Sequence, residues 1–117
     1  MPRAAVLVAL ALSLGAVPAL AQPDGKQLYD LQCSFCHADE SQAPSLTGVA
    51  GRKIGSGSFA FSDAMKAKGE AGATWTDEEL DAFLKEPAAH TPGTTMMMSV
   101  TDDANRAAIV AYLKTLK

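Results

Sequence analysis

Five consecutive residues, Cys33-Ser34-Phe35-Cys36-His37, constrain this chain more than any other feature. They read C-x-x-C-H, the spacing by which a haem is fixed covalently to a polypeptide. The two thiols add across the vinyl groups of the porphyrin and form two thioether bonds. The adjoining imidazole then stands under the ring centre and binds the iron from one side. Cysteines three positions apart reach neighbouring edges of one ring, which is why the spacing matters. Two competing chemistries have less support. A structural zinc site takes about four protein ligands, and the chain offers only Cys33, Cys36, His37 and the distant His90. A thioredoxin-like redox pair sits in a βαβ context, and no strand pattern surrounds these cysteines.

The first residues have a different character. Arg3 precedes an unbroken apolar run, Ala4 to Leu12, and Ala19-Leu20-Ala21 has the A-x-A form of a cleavage site. The run is short for a membrane span, so an uncleaved anchor is the weaker reading. Residues 1–21 are expected to be an export signal removed before Gln22, leaving residues 22–117 as one domain in the periplasm with no stable membrane insertion. The 117-residue chain has a formal charge of −3, and loss of Arg3 takes it to −4. No nucleic-acid partner is expected. A domain this small, with one tryptophan, has few large side chains to bury and gains from a cross-link or cofactor. A haem would supply the missing apolar core. A Cys33–Cys36 disulfide would close only a tiny loop and stabilise little.

Along the domain, Asp24 reads as a helix N-cap with Gln27 three residues on. Leu28, Leu31 and Tyr29 give that helix an apolar side, and it runs into the haem motif. Residues 38–58 show no helical or strand period. Pro44, Gly48, Gly51, Gly55 and Gly57 mark them as loop, long enough to wrap a haem edge. Arg52 and Lys53 in it are either solvated surface or partners of the haem propionates, which an arginine fork suits. Ser62 opens a short helix expected to stop near Gly69. Thr76 and Glu79 form a capping box for a helix that buries Leu80, Phe83 and Leu84. Pro87 ends it.

His90 to Val100 is a second irregular stretch, with Pro92, Gly93 and the run Met96-Met97-Met98. A single methionine is usually core filler, but three together in a loop are less easily explained by packing. The last helix is expected from about Asp102 to Lys117, capped by Thr101. Ile109, Tyr112, Leu113 and Leu116 line its apolar face.

This ordered set resembles the class I c-type cytochromes over nearly all of residues 24–117. Gly25 and Tyr29 precede C-x-x-C-H, and Pro44, Leu46 and Gly48 follow it after a somewhat shortened loop. Gly51-Arg52-Lys53 and Phe59 to Ala64 resemble the segment that folds under the propionates. Trp75 opens the next helix, Pro92-Gly93-Thr94-Thr95-Met96 resembles the loop that carries the sixth ligand, and Arg106 to Leu113 the terminal helix. The resemblance implies an all-α cytochrome c fold, about four helices and long loops wrapped around one haem c bound through Cys33 and Cys36. It implies His37 and Met96 as the iron ligands, and the Pro44 carbonyl as acceptor from the other ring N–H of His37. Arg52 and Trp75 would contact or neutralise a propionate, and Gly25 would let the first and last helices approach closely. Phe61, Met65 and Phe83 depart from the family's tyrosine, asparagine and tyrosine, which makes the pocket drier.

The implied function is that of a monomeric one-electron carrier with no catalysis of its own. Histidine and methionine fill both axial sites, and the thioether raises the reduction potential. The donor would be a quinol-oxidising cytochrome complex or a dehydrogenase. The acceptor would be a terminal oxidase, a reductase or a photosynthetic reaction centre. Two rivals are a haem subunit of a larger oxidoreductase and a haem enzyme or sensor whose sixth site opens. His90 is either an alternative sixth ligand or, preferably, plain loop surface. The family's lysine places beside the haem carry Gln32, Ala88 and Thr95, leaving Lys53, Lys66, Lys68 and Lys85 as what remains of a positive rim.

Overall fold

The protein is described by a computed structural model covering residues 15–16 and 22–117. The expected export signal falls on residues 1–21, of which all but 15 and 16 lie outside the described residues. Among the described residues six helices follow in order: α1 (Gly25–Gln32), α2 (Ser34–His37), α3 (Asp63–Glu70), α4 (Asp77–Lys85), α5 (Pro87–His90) and α6 (Asp103–Leu113). The fold is all-α. Among the described residues the only β pairing is an isolated bridge between Lys53 and Thr74. No described helix is long and apolar enough to cross a membrane.

Four of these helices are the expected ones, and α2 and α5 are additional single turns. Cys33, at φ −110° and ψ −42°, divides α1 from α2, and the N–H groups of Cys36 and His37 both turn back to its carbonyl. Pro87 ends α4 and also starts α5. Its fixed φ suits a first helical position, where no N–H is needed.

The caps explain most boundaries. The Asp24 carboxylate accepts from the N–H groups of Lys26 and Gln27 at 2.9 and 3.2 Å. The Ser62 hydroxyl accepts from Met65 N–H at 3.3 Å. Gly69, expected to stop α3, lies inside it instead; the left-handed residue after the helix is Gly72, at φ +90°. Gly69 serves close approach, because a Cβ there would sit 2.0 Å from the Ile54 carbonyl oxygen. The cap of α6 is Asp102, not Thr101; its carboxylate accepts from Asn105 N–H at 2.8 Å. That helix ends at Leu113, short of the expected Lys117. Leu116 lies beyond it, and its carbonyl accepts from Gly48 N–H at 2.7 Å, tying the chain end to the first long loop.

The core gathers Val49, Ile54, Met65, Trp75, Leu80, Leu84, Val100, Ile109, Val110 and Leu113. Helix α6 crosses α1 and packs on α4. Gly25 makes the first crossing possible, since a Cβ at this position would stand 2.1 Å from the Ala108 carbonyl oxygen. Tyr29 and Tyr112 meet at the same crossing with ring centroids 5.1 Å apart.

Candidate haem site

Helices α1 and α2 present Cys33, Cys36 and His37 in succession. Cys33 is buried, Cys36 is exposed, and no disulfide joins them. Burial pushes the Cys33 thiol above its ordinary range. His37 ends α2, with its Nδ1 2.8 Å from the Pro44 carbonyl oxygen. A carbonyl only accepts, so the proton sits on Nδ1 and the Nε2 lone pair is left free. An imidazole oriented by such a bond is ready to bind a metal through its other nitrogen. Among the described residues no three histidine, cysteine or acidic side chains gather as a metal cluster. The zinc reading therefore has no ligand set.

The long loop folds back on this corner. The Arg52 guanidinium donates to the carbonyls of Ser45 and Thr47 at 3.2 and 3.3 Å, next to Pro44. Its Nε is buried without a hydrogen-bond partner among the described residues. Backbone pairing then brings Trp75 alongside, its N–H donating to the Arg52 carbonyl and its carbonyl accepting from Gly51 N–H, both at 2.8 Å. Trp75 is buried and Arg52 half-buried. Lys53 is exposed.

The distal segment runs from Thr91 to Val100 without helix or strand. Its three methionines differ sharply. Met96 is half-buried and packed against the core, whereas Met97 is 91% exposed. Met98 is half-buried but does not join the core cluster. Phe61 and Phe83 also pack on the core, and Met65 is part of it, so the three departures from the family pattern all add apolar surface there.

Two groups of residues were not legible as functional. His90 is neither loop surface nor free to ligate: its Nε2 donates to Glu79 and its Nδ1 meets the Thr91 hydroxyl. The capping box is thereby half made. Thr76 accepts from Glu79 N–H at 3.2 Å, but the Glu79 carboxylate turns to His90. Arg106 is buried on α6 and donates to the carbonyls of Val100 and Thr101, both at 3.1 Å, and to Asp81 and Asp103. The sequence signal for it is an arginine on the same stripe as Ile109, Val110 and Leu113.

An all-α fold with this histidine–carbonyl corner defines a covalent haem protein of the cytochrome type. The cytochrome c family profile matches residues 23–117. The chain is 45% identical over 96 residues to cytochrome c of Tetrahymena pyriformis, covering 79% of this chain and 85% of that one. It is 40% identical over 98 residues to cytochrome c2 of Afifella marina, covering 78% of each. Its fold is similar to that of ferricytochrome c2 from Rhodopseudomonas palustris, with a TM-score of 0.71 and 34% identity over 80% of this chain and 96% of that one. The chain belongs to the cytochrome c family, and with that membership come a covalently attached haem c and the role of an electron carrier. The residues present fit such a group. The unpartnered Arg52 Nε suits one of its acid groups, and the His37 imidazole, held through Nδ1, keeps Nε2 available to a metal.

Proposed function

We propose that the chain is an exported carrier of single electrons in the periplasm. Its haem would be bound through Cys33 and Cys36, with His37 and Met96 as axial ligands. The observation that carries this reading is the 2.8 Å contact from His37 Nδ1 to the Pro44 carbonyl. When bound, the haem supplies a one-electron iron couple. Pro44 orients His37 and fixes its tautomer. Met96 would offer a thioether as the second ligand, a donor that raises the reduction potential. Arg52 Nε, which burial leaves without a partner, gains from a propionate carboxylate. Trp75 stands beside it on the same backbone pairing. With His37 and Met96 both holding the iron, the chain would leave no side for a substrate, and the group would serve electron transfer alone.

The partners in this reading are redox proteins: a quinol-oxidising complex or dehydrogenase as donor, and an oxidase, reductase or reaction centre as acceptor. Docking relies on apolar contact. Leu31 and Phe35, flanking the first attachment cysteine, are 73% and 85% exposed, and Met97 is exposed beside Met96. Lys66 is paired with Asp63 at 3.5 Å, which leaves less positive rim for steering. Two measurements test the proposal. The haem should stay with the denatured polypeptide on a gel, with no thiol free to react; its release by acid–acetone would refute attachment. The rate of electron transfer to an acceptor should depend only weakly on salt, since steering by charge is screened over about 10 Å at 0.1 M. A steep loss of rate with added salt would refute apolar docking.

A further inference from the structure

Glu79, His90 and Thr91 form a cluster against Trp75, and the carrier function as described uses none of the three. His90 closes α5, and its side chain is 8% exposed. The Glu79 carboxylate only accepts, so Nε2 carries the proton and donates to it at 2.5 Å. Nδ1 and the Thr91 hydroxyl are 2.7 Å apart, and Thr91 is fully buried. The imidazole lies flat on Trp75, with centroids 5.9 Å apart and planes 21° from parallel. Phe83 meets it edge-on at 5.5 Å.

Thr91 is also where the distal segment begins. Its carbonyl accepts from Thr94 N–H at 3.1 Å, and the Thr94 hydroxyl accepts from Met96 N–H at 3.3 Å. A continuous series of hydrogen bonds therefore runs from Glu79 on α4 through His90, Thr91 and Thr94 to the backbone of Met96. Removing one member of a part-buried polar series leaves its neighbours short of a partner. We propose that His90, clasped by Glu79, is a positioning residue for Met96: it fixes the near end of the distal loop and sets how readily Met96 gives up its place. This inference rests on the ligation proposed above.

The test is the affinity of the oxidised holoprotein for added imidazole, which must displace the distal ligand. Glu79→Ala and His90→Phe should each raise that affinity about tenfold, the scale of one intramolecular hydrogen bond. His90→Phe keeps the stacking on Trp75, and Glu79→Ala decides the matter if His90→Phe fails to load haem. Glu79→Gln still offers an oxygen to Nε2–H and should restore the wild-type affinity. Ile109→Val, in the core but outside the hydrogen-bonded series, controls for lost stability. Hydrogen exchange at the Thr94 and Met96 amides should quicken in Glu79→Ala. Unchanged imidazole affinity and unchanged exchange, or effects no larger than those of Ile109→Val, would overturn the clasp. Absence of the far-red sulfur-to-iron band from the unmodified protein would instead count against Met96 as ligand, while exchange still reads the clasp.

Discussion

The two sides of the site are built in opposite ways. On the proximal side, Cys33 at the break between α1 and α2 and Cys36 and His37 on α2 lie within five residues, and the Pro44 carbonyl only seven positions on meets His37. On the distal side, Met96 stands in an irregular segment whose two ends are held by side chains from elsewhere. Glu79 and His90 hold one end. Arg106 holds the other, bonding the Val100 and Thr101 carbonyls, while Val100 N–H reaches the Leu84 carbonyl at 2.8 Å. Local bonding makes the proximal side rigid by default. The distal side depends on its long-range pins, so on the proposed ligation Met96 should be displaced before His37.

The largest effect that would break this contrast is on the proximal side. His37→Ala should abolish a stable holoprotein, because ligation and folding are coupled. Haem-containing protein recovered after expression measures it, and normal recovery would mean that the proximal corner is dispensable. Trp75→Ala comes next, because Trp75 touches both sides through Arg52 and His90. Removing a buried tryptophan costs about 3–5 kcal/mol, to be read from denaturant unfolding of the holoprotein.

Arg106→Leu tests the far pin. The Val100 and Thr101 carbonyls lose their donor, so amide exchange in the distal segment should quicken while exchange in residues 34–44 stays unchanged. This change also carries a pH signature. The Arg106 guanidinium, by hydrogen bond and charge, holds the Asp103 carboxyl below the usual carboxylate range. A depressed native value stabilises the fold above the unfolded pKa of about 3.9, and that stability is lost as pH falls through the native value. The unmodified protein should therefore lose thermal stability more steeply below about pH 4 than Arg106→Leu does. Parallel acid curves would show that the pair adds nothing. The smallest effect belongs to Met97→Ser, a change at an exposed position, expected within about 0.5 kcal/mol of the unmodified stability.

The same contrast explains what could be read without coordinates. The corner of Cys33, Cys36 and His37 was legible because its residues are close in sequence, and the structure adds the Pro44 carbonyl 2.8 Å from His37 Nδ1. Asp24, Ser62 and Thr76 were legible as caps because capping is a local bond. Gly69 and Thr101 misled for the complementary reason. Gly69 resembles a helix stop, but it is a glycine because the Ile54 carbonyl lies against it, a contact set by tertiary packing. Asp102 displaced Thr101 as cap by a single residue, and an acidic pair offers no local signal for which member bonds Asn105. The roles of His90 and Arg106 were invisible because their partners, Glu79 and Asp81, lie on another helix. Met96 itself emerged from resemblance; its three-methionine run has no periodicity to choose among them.

The choice among those methionines is the central claim, and the far-red sulfur-to-iron absorption band of the oxidised holoprotein tests it most directly. The account predicts the band in the unmodified protein, in Met97→Ala and in Met98→Ala, and its loss in Met96→Ala. A band that survives Met96→Ala, or that disappears only with Met98→Ala, would contradict it.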